Sequence, residues 1–140
     1  MNDHKADAQA CLFTIYPVLR RAMYEAFDKQ TTKVTRTQQI ILITMSDMAT
    51  LSMSELARKI DTSNEQATRA VTQLVNLGYI DRFQNEQNHR IVNIRLTEKA
   101  MQLLNIINST AEEILADRYG QNGYSDIKKH LGALAASFGN

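Results

Sequence analysis

Within roughly 30 residues the chain sets out three short boxes, each a hydroxyl residue followed three positions later by Glu or Gln and then an apolar periodic run. They are Thr35-Arg36-Thr37-Gln38, Ser52-Met53-Ser54-Glu55 and Ser63-Asn64-Glu65-Gln66. In such a box the hydroxyl accepts the amide N–H of the third helical residue, while the Glu or Gln side chain reaches back to the cap. One box is a weak signal. Three at this spacing mark three separate helix starts and leave room only for short helices.

The first of these helices is expected through Ile40, Ile41, Leu42, Met45 and Met48, and the second through Leu56, Ala57 and Ile60. The third carries Ala67, Ala70, Val71, Leu74 and Val75 and ends at Leu77-Gly78, where a glycine tolerates the positive φ of a helix terminus. Only Asp61-Thr62-Ser63 separates the second from the third, which is the connection of a helix-turn-helix. The period then changes. Tyr79-Ile80-Asp81-Arg82-Phe83 and Arg90-Ile91-Val92-Asn93-Ile94-Arg95-Leu96 alternate apolar and polar residues, and the polar stretch 84–89 lies between them. This predicts a β-hairpin with an exposed tip, and a helix-turn-helix followed by a hairpin is a winged helix.

Long helices are expected on both sides. The first, over about 7–29, carries Leu12, Ile15, Tyr16, Leu19, Met23 and Phe27 on one stripe, with Pro17 predicting a kink or a fresh start. The second, over about 97–119, carries Leu103, Leu104, Ile107, Ala111, Ile114 and Leu115; a break at Gly120-Gln121-Asn122-Gly123 precedes a last helix over 125–138. The fold class is mainly α with a small β-hairpin (α+β): a winged helix-turn-helix at 35–96, with 1–34 and 97–140 as helical arms.

Composition narrows the function. Of 140 residues, 44% are hydrophobic and 22% charged, the balance of a soluble globular domain. No run approaches the roughly 20 apolar residues of a membrane span, and the polar, mixed-charge stretch 1–10 is unlike a signal peptide. A single cysteine, Cys11, supports no internal disulfide and suits the reducing cytoplasm. Net charge is +1, and residues 51–100 hold seven Lys/Arg against six Asp/Glu. A winged helix used for protein contact therefore stays open beside one used for DNA. Nothing points to an enzyme: there is no Gly-rich phosphate loop, nucleophile elbow or His–Cys or carboxylate cluster. His4, His89 and His130 have no partners at metal-ligand spacing, and no cofactor is expected.

The ordered set Ser54-Glu55-Leu56-Ala57, Leu74-x3-Gly78-Tyr79-Ile80-x-Arg82 and Arg90-x-Val92-x-Ile94-x-Leu96-Thr97 resembles the MarR family of bacterial regulators. The resemblance is strongest over 35–100. It implies a cytoplasmic homodimer, joined through the terminal helices, that reads a pseudo-palindromic double-stranded operator. The recognition helices would enter successive major grooves and the wings the minor groove, with half-site centres about 34–36 Å apart. It further implies a repressor responsive to a small aromatic or phenolic ligand.

On that frame the exposed candidates of the recognition helix are Ser63, Asn64, Gln66, Thr68 and Arg69, with Glu65 less suited because a carboxylate beside phosphates needs a donor. Asn and Gln pair with adenine and Arg with guanine. In the wing, Arg90 matches the family's tip arginine, and His89 is a neighbouring donor. The family's usual Asp two residues before that arginine is Asn88 here, and Ala100 stands where a Gly is common. Tyr16, Tyr24 and Phe27 are candidates to line a ligand pocket between arms and winged core. Cys11 raises an alternative, a redox-sensing regulator. Its relatives' cysteine lies four residues before a tyrosine, whereas Leu12 fills that slot here, about 100° around the helix from Cys11.

Overall fold

A computed structural model describes the backbone of residues 3–138 and the side chains of 13–133 and 135–137. The described chain runs α1 (Asp3–Asp28), α2 (Arg36–Thr44), β1 (Leu51–Ser52), α3 (Met53–Lys59), α4 (Asn64–Asn76), β2 (Ile80–Gln84), β3 (Val92–Leu96) and α5 (Glu98–Phe138). It divides into two compact units, one of Thr31–Ile106 and one of Met1–Gln30 with Ile107–Asn140.

The unit Thr31–Ile106 is the winged helix. Its three helix starts fall at Thr35, Ser52 and Ser63, each accepting a hydrogen bond from the third residue onward. Only Thr35 completes the reciprocal box, its N–H donating to Gln38 Oε1 at 2.9 Å. Glu55 instead meets the Ser52 hydroxyl (3.0 Å), and the Gln66 side chain turns to the hydroxyl of Thr62. The first helix stops earlier than its sequence suggests, capped at Met45 rather than running to Met48.

Both ends of the helix-turn-helix use one device. After α3, Asp61 adopts φ 53°, and Asp61 N–H and Thr62 N–H return to the carbonyls of Arg58 (3.2 Å) and Ala57 (2.9 Å). After α4, Gly78 adopts φ 84°, and Gly78 N–H and Tyr79 N–H return to Val75 (3.0 Å) and Leu74 (2.9 Å). This paired bonding satisfies carbonyls that a helix end would otherwise leave open. An Asp holds the left-handed position in the first case because its short polar side chain tolerates it.

The hairpin β2–β3 pairs Ile80 with Leu96, Arg82 with Ile94 and Gln84 with Val92. A third strand, β1, escaped the sequence reading: Leu51 pairs with Ile94 and Ser52 with Asn93, giving the antiparallel order β1-β3-β2. Two residues are too few for an alternating signal, and Ser52 reads first as a cap. The core gathers Ile41 and Leu42 of α2 and its cap Met45, Leu56 of α3, Val71 and Leu74 of α4, and Ile80 and Ile94 of the sheet, all essentially inaccessible. Burying each such side chain is worth about 1.5–3 kcal/mol.

The tip of the wing is folded by its own asparagines. Asn85 Oδ1 accepts from the N–H groups of Gln87 (2.9 Å) and Asn88 (3.2 Å), and Asn88 Oδ1 accepts from Arg90 N–H (3.1 Å). Such side-chain turns replace backbone bonds the tip lacks.

In the unit of Met1–Gln30 and Ile107–Asn140, α1 continues through Pro17, so of the expected kink or fresh start the second does not occur. Pro17 is exposed, and the carbonyl it leaves unbonded belongs to exposed Phe13, where water can reach it. The expected four-residue break after Tyr119 shrinks to Gly120 alone, at φ 76° and ψ 161°, with helix on both sides. Ala22, Ala26, Phe27, Ile107, Ile114 and Leu115 are buried. Arg118 Nη2 of α5 holds both carboxylate oxygens of Glu25 at 3.2 and 2.9 Å, and Arg21 adds a contact at 3.2 Å. The Arg118 hydrogen bond, more than its charge or that of Arg21, holds the Glu25 carboxyl below its ordinary pKa.

A carboxyl whose folded pKa is depressed contributes stability that is present above its unfolded pKa and lost as pH falls through the folded value. Thermal midpoints measured between about pH 7 and pH 3 should show wild type above Glu25→Gln at neutrality, with the gap closing in acid. A gap independent of pH would contradict the ion pair. In the wing, Asn88→Ala should speed amide hydrogen exchange at Arg90 while changing global stability by less than about 1 kcal/mol; unchanged exchange at Arg90 would remove the turn's assigned role.

Candidate nucleic-acid interface

The amphipathic split of α4 decides which residues face outward. Ala67, Val71 and Leu74 are fully buried and fix the rotation of the helix. The opposite face is left to Glu65, Thr68, Arg69 and Thr72, flanked by Gln66 and Gln73, all exposed. The side chains singled out from sequence therefore share the first two turns of one helix: Ser63, Asn64, Gln66, Thr68 and Arg69 are all exposed. They are not equally free. Ser63 Oγ accepts Gln66 N–H at 3.2 Å as the cap, and the Gln66 side chain is held by Thr62. Asn64, Thr68 and Arg69 make no side-chain hydrogen bond or ion pair among the described residues.

At the other end of the same unit, His89 and Arg90 are both exposed at the wing tip. Asn88, where the resemblance implies an acid, accepts from the backbone N–H of Arg90 and not from its guanidinium. The turn is thus built by a neutral oxygen, and no carboxylate is needed to shape it.

Two polar ties brace α4, and sequence reasoning missed both. Thr72 and Gln73 are successive residues, so their side chains leave the helix about 100° apart. Gln73 Oε1 accepts from the amide of Gln38 in α2, which is buried. Thr72 Oγ1 accepts from Arg82 Nη2 at 2.6 Å and donates to the Thr68 carbonyl at 2.8 Å. Strand parity holds the clue to the second tie. Arg82 pairs with buried Ile94 and so lies on the side of the hairpin that faces the core, from which a long side chain reaches α4.

The end of α4 is tied to the start of α5. Thr97 N–H donates to the Tyr79 carbonyl (3.0 Å) and its hydroxyl to the Gly78 carbonyl (2.7 Å), while the same hydroxyl accepts Ala100 N–H (3.3 Å). Lys99 Nζ donates to the Leu77 carbonyl at 2.7 Å, 4.7 Å from the centre of the Tyr79 ring. A cation on the last carbonyls suits the negative end of the helix dipole.

Among the aromatic candidates of α1, Phe27 is buried at 2% exposure, Tyr16 stands 62% exposed, and Tyr24 is half-buried. The Arg20 guanidinium lies between the two tyrosines, 5.8 Å from the Tyr16 ring centre and 5.9 Å from that of Tyr24. The Cys11 side chain and His4 lie outside the described side chains. No helix of the described chain is long and apolar enough to cross a membrane.

Residues 34–92 match the MarR family model, a span that runs from just before α2 to the start of β3. Comparison with curated proteins finds no match. Among solved structures, RV1404 from Mycobacterium tuberculosis is similar over 100% of this chain and 96% of its own, at 19% identity and a TM-score of 0.72. Wild-type MarR from E. coli in its apo form is similar over 90% of this chain and 94% of its own, at 17% identity and a TM-score of 0.70. Reduced AbfR bound to DNA is similar over 96% of this chain and 99% of its own, at 18% identity and a TM-score of 0.60. At these identities the structures share the fold. The MarR family model thus covers residues 34–92 of the 140, and the described chain shares the winged-helix fold of these structures.

Proposed function

We propose that the protein is a homodimeric, sequence-specific DNA-binding repressor whose operator affinity is modulated by a small aromatic or phenolic ligand. The observation that carries this reading is the outward face of α4: polar residues fill its first two turns, while its buried row allows the helix no other orientation. Gln66, Thr68 and Arg69, with Ser63 and Asn64 at the cap, would meet bases and phosphates in the major groove. Arg90, assisted by His89, would lie along the minor groove, where narrow A·T tracts attract a guanidinium. AbfR, which shares the fold, is bound to DNA in its reduced form.

Support for a dimer comes from Phe13, Tyr16 and Tyr119, which are 65%, 62% and 43% exposed. Aromatic groups left in water on a helical arm suit burial against a second copy. Tyr16, Tyr24 and Phe27 would then contribute to the ligand site, with Arg20 between the tyrosines as the charge a phenolic or carboxylate group would meet. A ligand changes operator affinity only by binding the two dimer conformations unequally.

Arg69→Ala and Arg90→Ala should each weaken binding to an operator duplex by about tenfold or more, measured by fluorescence anisotropy. Circular dichroism and sedimentation should show fold and assembly unchanged. Undiminished affinity in both variants would overturn the assignment of these two residues.

A further inference from the structure

We infer that Arg82 is a phosphate-contacting residue, held by Thr72 at the joint between α4 and the wing so that its free N–H groups take a backbone phosphate of bound DNA. The inference rests on the DNA-binding reading above and extends it to a residue outside the recognition helix and the wing tip. A guanidinium carries five N–H donors in a planar fork. Here Nη2 gives one of them to Thr72 Oγ1 at 2.6 Å. Among the described residues it has no other hydrogen bond and no carboxylate partner, and the side chain is exposed.

Its surroundings leave that charge available. The adjacent carboxylate, Asp81, points to the opposite side of the hairpin by strand alternation and is engaged there by Arg95 at 3.7 Å. Arg95 itself lies over the Phe83 ring, 5.1 Å from its centre. The anchor, Thr72, shares its helix face with Thr68 and Arg69, three and four residues earlier. The Thr72 hydrogen is committed to the Thr68 carbonyl at 2.8 Å, so its oxygen can only accept from Arg82. The guanidinium is thereby held beside the outward face of α4 before any duplex arrives. An arginine fork matches phosphate geometry, and holding it in place in advance reduces the entropy lost on binding. Such a contact fixes position and strengthens binding to any sequence alike.

The test uses the full chain and a mixed-sequence duplex of about 30 base pairs, since a phosphate contact needs no operator. Affinity is measured across a salt series for wild type, Arg82→Gln, Arg82→Lys and Thr72→Val, each checked for an intact thermal transition. Arg82→Gln should weaken binding several-fold and reduce the slope of log affinity against log salt by about 0.9 for each Arg82 engaged. Arg82→Lys keeps the charge and should keep the slope, and Thr72→Val should lose affinity without losing slope. If Arg82→Gln keeps the wild-type slope, Arg82 is no phosphate contact, and an affinity loss equal to that of Thr72→Val would mark it as a strut alone. If the wild-type protein shows no salt-dependent binding, the DNA-binding reading itself fails, and this inference with it.

Discussion

The winged helix depends on the fixed rotation of α4. Ala67, Val71 and Leu74 are buried to the last few square ångströms, and a one-residue slip would carry all three about 100° toward solvent. The core therefore selects one orientation, and the polar face follows as its complement. Everything proposed for the interface inherits that constraint. Gln73 and Thr72 reinforce it, tying the helix to Gln38 on one side and to Arg82 of the hairpin on the other.

Position along the helix axis is fixed separately. Ser63 sets the start of α4, and Gly78, at φ 84°, closes its end. Thr97 and Lys99 then bond the carbonyls of Gly78 and Leu77, so the first turn of α5 caps the last turn of α4. The sequence words that carry the family resemblance, Gly78-Tyr79 and Leu96-Thr97, lie 18 residues apart yet meet at this joint. Together they hold the end of α4 to the start of α5.

The winged helix was legible because its signals are local. Hydroxyl caps, a three-residue turn and an alternating hairpin each act within a few residues, and all were read from sequence. What escaped depends on partners far along the chain. Strand β1 exists because Leu51 finds Ile94, and the Arg82–Thr72 tie needs the hairpin folded back against α4. The arms follow their breaker residues only in part. Pro17 and the Gly120–Gly123 segment have breaker chemistry, yet exposure spares the helix at Pro17, and Gly120 alone absorbs the whole interruption. At the wing, Asn88 for the expected acid leaves the turn standing, since an amide oxygen accepts the Arg90 N–H as a carboxylate would.

The central claim, a two-fold regulator that reads DNA through α4 and the wing, meets its most direct test in selection of bound duplexes from a random-sequence pool by the purified protein. The expected result is enrichment of a two-fold palindrome whose half-site centres lie about one helical turn, roughly 34–36 Å, apart. Recovery of no enriched sequence, or of a single asymmetric site, would contradict it.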